Sequence, residues 1–131
     1  MQNNPYLAKR GITQPPSLMN FDRDLIRSVA EPIVLKLVAE RAMYGYEIIK
    51  IINERTKNAF QWKEGTLYPC LHRLENQGLI KSEWIRGEET GKRRKYYAIT
   101  KKGQKQLTEK LTEWQSFSTA VELLLLSLKP A

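Results

Sequence analysis

The chain has 131 residues, room for one domain and an appended element. Its 41% hydrophobic and 27% charged residues exclude a disordered chain, and the single cysteine, Cys70, excludes an internal disulfide and any CxxC metal site. A net charge of +8 points to a polyanionic partner, nucleic acid before membrane. No apolar run approaches the roughly 18 residues of a membrane span, since Val121 to Leu128 is interrupted by Glu122 and Ser127. The first twenty residues are polar and broken by Pro5, Pro15 and Pro16, unlike a secretory signal, so a cytoplasmic protein is expected.

In chain order, residues 1–20 read as an N-terminal arm that is flexible in isolation. From Phe21 to Glu40, Leu25, Ile26, Val29, Ile33, Leu37 and Val38 recur at helical spacing. Pro32 is either the first residue of a second helix or an interruption inside one long helix. Tyr44-Gly45-Tyr46 opens the next helix, with Ile48, Ile49, Ile51 and Ile52 directed inward and Glu47, Lys50, Glu54 and Arg55 outward. A third helix is predicted from near Gly65 or Thr66, with Leu67, Leu71 and Leu74 on one face and Gly78 as a left-handed cap. Pro69 is acceptable there if it falls in the first turn.

Two β-prone runs follow, Leu79 to Arg86 and Lys95 to Thr100, joined by a polar, glycine-bracketed tip from Gly87 to Arg94. Thr100 can cap a last helix running to about Leu128, before Pro130. The predicted fold is mainly α with a small β-hairpin: a winged helix-turn-helix over residues 21–100, joined to a long C-terminal dimerisation helix over 101–131. In that plan the third helix enters the major groove, and the hairpin reaches the neighbouring backbone or minor groove.

These residues carry a resemblance. Tyr44-Gly45-Tyr46-Glu47-Ile48, Gly65-Thr66-Leu67-Tyr68-Pro69, Leu74-Glu75 with Gly78-Leu79-Ile80, and Arg94-Lys95-Tyr96-Tyr97 with Thr100 and Gly103 keep their order and spacing. Over about residues 25–125 the chain resembles the PadR family of transcriptional regulators, in its smaller subgroup with a single C-terminal helix. Each motif alone is weak, and the set is specific.

The third helix supplies the first candidate DNA contacts. Its first-turn N–H groups attract a phosphate, and the hydroxyls of Thr66 and Tyr68 can reach phosphate oxygens. The Tyr68 ring and the face of Pro69 suit thymine methyls, although an ordinary half-buried aromatic is the alternative at Tyr68. His72 and Arg73 lie one turn on, and Lys63 lies just before the helix. Residues 81–100 hold six Lys/Arg against three Glu, with Lys92, Arg93, Arg94 and Lys95 unbroken. At a hairpin tip that run neutralises phosphates; elsewhere it is a solvated turn. Of Tyr96 and Tyr97, one is expected to fill the core and the other to flank the basic strip.

The last helix reads as a heptad seam of Leu107, Leu111, Trp114, Ser118, Val121, Leu125 and Leu128, widened by Phe117 and Leu124. A small monomer has no further layer to cover it, so a homodimer is expected, with paired third helices on a palindromic operator in double-stranded DNA. The resemblance implies a further role for Trp114. In the family's multidrug-responsive members a Trp at this distance from the wing threonine stacks planar ligands between subunits. Trp114 and Phe117, with first-helix residues, then either bind a small aromatic effector or fill a plain dimer core, and phenolic acids are a second effector class in the family. The resemblance further implies a ligand-responsive repressor of a neighbouring transporter or detoxification gene.

Cys70 is either a redox switch or a buried core residue, and His72 has no partner to make it a metal ligand or a catalytic base. No Ser/His/Asp set, phosphate-cradling glycine loop or carboxylate pair supports an enzyme, and no cofactor is implied. The competing reading is a winged-helix protein-interaction module whose basic wing serves solubility or an acidic partner.

Overall fold

The computed structural model describes residues 21–127, and in it Asp22 sets the first helix by accepting a hydrogen bond from the Asp24 N–H at 2.8 Å. That helix, α1, spans Arg23–Glu40 without a break, so Pro32 lies inside one long helix. Having no N–H, Pro32 leaves the Ser28 carbonyl without its usual helical donor. Ala30, Val34, Leu35, Leu37 and Val38 of α1 are buried, whereas Leu25 is exposed and Ile26, Val29 and Ile33 are half-buried. The apolar residues of α1 thus divide between the core and a second, open face.

A two-residue strand, β1 (Met43–Tyr44), precedes α2 (Gly45–Arg55), and α3 spans Glu64–Asn76. Arg55 closes α2 onto α1 through a two-pronged pair with Glu40 at 2.9 and 3.0 Å, and this hydrogen bond holds the Glu40 carboxyl below its ordinary range. The connection from α2 to α3 is fixed from within. Asn53 donates to the Trp62 carbonyl at 3.2 Å and accepts from the Trp62 N–H at 2.9 Å, and Trp62 itself is buried. The entry to α3 is therefore anchored on α2.

Helix α3 begins at Glu64, earlier than expected, so Pro69 sits in its second turn. The Gly65 carbonyl consequently has no helical N–H to receive. At its far end Gly78 adopts φ +74°, the left-handed conformation expected of the cap.

The hairpin consists of β2 (Ile80–Arg86) and β3 (Arg93–Ile99), and the antiparallel sheet has the order β1-β3-β2. Met43 pairs with Tyr97 and Tyr44 with Tyr96, which puts the short first strand on the edge of the hairpin. Strand β3 starts two residues before the predicted run, so Arg93, Arg94 and Lys95 belong to the strand, and only Lys92 of the basic run lies in the tip. Pairing with Arg86, Ile85 and Trp84 overrides the low strand propensity of the charged run.

The last helix, α4, spans Lys101–Leu125, ending before the expected Leu128, which lies outside the described residues, as does the arm at 1–20. Thr100 caps it as predicted, accepting from the Gly103 N–H at 3.0 Å while its hydroxyl lies 2.7 Å from the Gly78 carbonyl. A Cβ on Gly103 would collide with the Leu79 carbonyl oxygen, so only glycine lets α4 approach this closely. Leu107, one turn on, is 8% exposed and joins the core with Leu35, Ile48, Leu67, Leu71 and Leu74. This corrects its assignment to the dimer seam: the close approach at Gly103 turns Leu107 into its own domain. Among the described residues no helix is long and apolar enough to cross a membrane.

Candidate nucleic-acid interface

Burial of Leu67, Cys70, Leu71 and Leu74 turns the opposite face of α3 outward. Thr66, Pro69, His72 and Arg73 are exposed on it, with Lys63 at the N-cap position, also exposed. Lys63 makes no side-chain cap bond, and its carbonyl accepts from the Thr66 N–H at 3.0 Å, so the first turn has no side chain across its N-terminal end. Tyr68 is placed differently. It is half-buried against the core, and a Cβ on Gly45 would meet its hydroxyl at 2.5 Å, so the ring is a strut between α3 and α2 that stays partly exposed. Arg73 is drawn sideways to Glu31 of α1 at 3.5 Å.

The strand pairing distributes the basic run over two faces of the hairpin. Trp84 lies opposite Lys95 and Arg86 opposite Arg93, so these four side chains share a face. The same face bears Ser82, which hydrogen-bonds Glu75 of α3, and Tyr97, which is buried. The guanidinium of Arg93 lies 5.7 Å from the Trp84 ring, and the Lys95 ammonium 5.7 Å from the Tyr97 ring. Arg94 occupies the other face, 4.5 Å over Tyr44, which in turn meets Tyr96 edge-on at 5.4 Å. Tyr97 therefore fills the core and Tyr96 flanks the basic strip, the division expected of a strand. Burial, with Glu75 and Tyr68 nearby, pushes the Tyr97 hydroxyl above its ordinary range.

Cys70 faces the core from α3 and is fully buried, and burial pushes its thiol up to about 12. It holds essentially no thiolate near neutrality, which removes the basis of a redox switch.

A second feature lies between α1 and α4. Ser28, Val29 and Pro32 face Lys110, Glu113, Trp114 and Phe117 across a groove of about 320 Å³. The open face of α1 and the expected effector residues thus form one concavity, with Ser28 and Pro32 in its wall. Along α4, Leu111, Trp114, Phe117, Leu124 and Leu125 are exposed, with Leu124 at 83%, and Ser118 and Val121 are half-buried. Leu123 and Leu126 are exposed as well, so the apolar surface is broader than the predicted seam.

Three features escaped sequence reasoning. Strand β1 is too short for any periodicity, and Glu31 lacks a local signal because its partners are distant in sequence. Trp84 did carry one, an aromatic inside a β-prone run next to the basic residues.

Three helices, a hairpin folded against the third, and an outward α3 face beside paired basic residues define a winged helix-turn-helix protein of the DNA-binding class. Comparison with known proteins places the chain more closely. Residues 34–109 match the model of the transcriptional regulator PadR-like family, and the chain belongs to that family of DNA-binding regulators. It is 40% identical to a transcriptional regulator from Clostridium thermocellum of known structure, which covers 81% of this chain and 99% of that one at a TM-score of 0.72. A PadR-like transcriptional regulator from Bacillus cereus is 33% identical, covering 79% of this chain and 98% of that one at a TM-score of 0.69. Transcriptional regulator Rv3488 of Mycobacterium tuberculosis is 32% identical over 87 residues, 66% of this chain and 77% of that protein.

Proposed function

We propose that the protein is a sequence-specific repressor that binds a palindromic operator as a homodimer and responds to a planar aromatic effector. The observation that carries this reading is the exposed strip of Thr66, Pro69 and His72 on α3, beside a hairpin carrying Lys92, Arg93, Arg94 and Lys95. In the groove of a duplex, Pro69 offers apolar surface to thymine methyls, Thr66 and the exposed part of Tyr68 offer polar and aromatic contact, and His72 extends the strip. Lys63, Arg73 and the hairpin cations take phosphates, and the charge fixes register while the helix reads bases.

The dimer follows from α4. Each large aliphatic side chain left in water forgoes about 1.5–3 kcal/mol of burial, and a twofold partner recovers it along Leu111, Trp114, Val121 and Leu125. Two copies joined this way present two α3 helices to half-sites one duplex turn apart. The groove between α1 and α4 then takes the effector. Trp114 and Phe117 supply aromatic surface, and Ser28, Lys110 and Glu113 supply the polar groups of its lining.

Selection of bound duplexes from a random pool, with and without planar aromatic compounds, tests all three parts. A recovered inverted repeat whose binding weakens with the aromatic is the expected result. Sequence-blind binding would leave the winged-helix interaction module instead, and a single half-site would remove the dimer.

A further inference from the structure

We infer that the α3-facing side of the hairpin, centred on Trp84, is a DNA-contact surface in its own right: the indole packs on deoxyribose at the minor-groove edge while Arg86, Arg93 and Lys95 hold the phosphates on either side. This deepens the DNA-binding reading above and rests on it.

Trp84 is 57% exposed in the middle of a well-paired strand, although tryptophan is usually largely buried. Its direction is not arbitrary. Ser82, two residues earlier and on the same face, is hydrogen-bonded to Glu75 of α3, so Trp84 continues the surface that looks toward the helix with the candidate reading face. Its immediate neighbours on that face are Lys95 directly opposite, and Arg86 and Arg93 one pair further out, with the Arg93 guanidinium against the ring.

The chemistry of that surface selects its partner. Three cations surround one flat apolar group, and the nearest carboxylate of the strand, Glu83, belongs to the opposite face with Tyr96. A sugar–phosphate strand repeats this pattern in negative, with apolar sugar faces between charged phosphates. A protein partner matching the indole would have to bury three cations beside it, at a high desolvation cost. A second copy of the chain carries the same positive charge. Ile85, also exposed, lies on the other face with Tyr96 and Arg94, and so provides an internal control of equal apolar character.

The full-length chain and its variants Trp84→Ala, Trp84→Phe, Trp84→Thr and Ile85→Ala are titrated with the duplex recovered by selection, over a range of salt. Trp84→Ala and Trp84→Thr are expected to weaken binding about tenfold, as removal of an aromatic anchor does. The slope of log affinity against log salt should stay unchanged, because no charge is removed. Trp84→Phe should restore most of the affinity, and Ile85→Ala should match the wild type. The threonine variant keeps strand propensity, so the result does not depend on the alanine variant folding. Wild-type affinity in the Trp84 variants, or an equal loss in Ile85→Ala, overturns the inference. Sedimentation showing that Trp84→Ala disrupts self-association overturns it too, by assigning the indole to a second copy. If the wild type binds no duplex at all, the parent reading falls first and this surface with it.

Discussion

The Glu31 carboxylate on α1 pairs with the Arg73 guanidinium on α3 at 3.5 Å, and its other oxygen lies 3.7 Å from the Lys110 ammonium on α4. One side chain therefore ties the candidate reading helix to the wall of the α1–α4 groove. Arg73 and Glu31 are both partly solvated, so the pair is worth roughly 0–1 kcal/mol and its consequence for DNA exceeds its consequence for stability. Glu31→Ala is expected to leave the melting temperature within a few degrees of wild type. It should also tighten duplex binding several-fold, since it frees Arg73 and removes a carboxylate near the polyanion. Unchanged or weaker binding would take Arg73 out of the interface.

Gly45 and Tyr68 form a second contact with a direct test. Gly45→Ala puts a methyl 2.5 Å from the Tyr68 hydroxyl and 3.0 Å from the ring carbon that bears it, so the ring must move. A destabilisation of about 1–3 kcal/mol in denaturant unfolding is expected, typical of overpacking. Adding Tyr68→Phe should recover part of it by removing the closest atom. Tyr68→Ala alone is expected to weaken specific DNA binding while leaving the oligomeric state intact, and full affinity in that variant would confine Tyr68 to its strut role.

The basic run gives an electrostatic prediction. Each phosphate that is no longer neutralised lowers the salt slope by about 0.9. Replacing Arg93 and Lys95, which share the α3-facing side, should flatten the slope for duplex binding measurably. The Arg93→Ala, Arg94→Ala pair removes one cation from each face and should flatten it less, because Arg94 is held over Tyr44 on the face away from α3. Equal slopes in all variants would exclude the hairpin from the interface.

Cys70 couples burial to pH. Its thiol is raised from an ordinary value of 9.0 to about 12 in the folded chain, so between these values the unfolded state has released the proton that the native state retains. Stability attributable to the neutral thiol is fully present below about pH 9 and declines as pH rises toward 12. Tyr97, also raised by burial, acts in the same direction. Melting temperatures should fall over this window, and less steeply in Cys70→Ala. At neutral pH a thiol reagent should react with Cys70 only after denaturation, and rapid native-state labelling would contradict its placement.

For the groove, Trp114 fluorescence in a Trp62→Phe, Trp84→Phe background should be quenched by planar aromatic compounds, and Trp114→Ala should abolish their calorimetric binding. Silence across a broad panel would reduce Trp114 to packing. Leu111→Lys or Leu125→Lys should give a monomer by sedimentation, because a charge at either site opposes closure of the apolar stripe.

Much of the fold was legible because it rests on local chemistry. Thr100 and Gly78 mark their helix ends by capping rules that need only neighbouring residues, and Leu67, Leu71 and Leu74 show their common face through helical period alone. Composition likewise set the partner class, since concentrated positive charge is a property of the chain whatever its path. Tertiary structure decided what depends on approach between distant segments. It moved Leu107 from seam to core because Gly103 admits Leu79, and it leaned Tyr68 on Gly45. It split Arg93 and Arg94 across two faces through strand register, and it brought Glu31 to Arg73 and Lys110. A helix or strand declares its period in sequence, but which of its faces meets another element is fixed only when the chain packs.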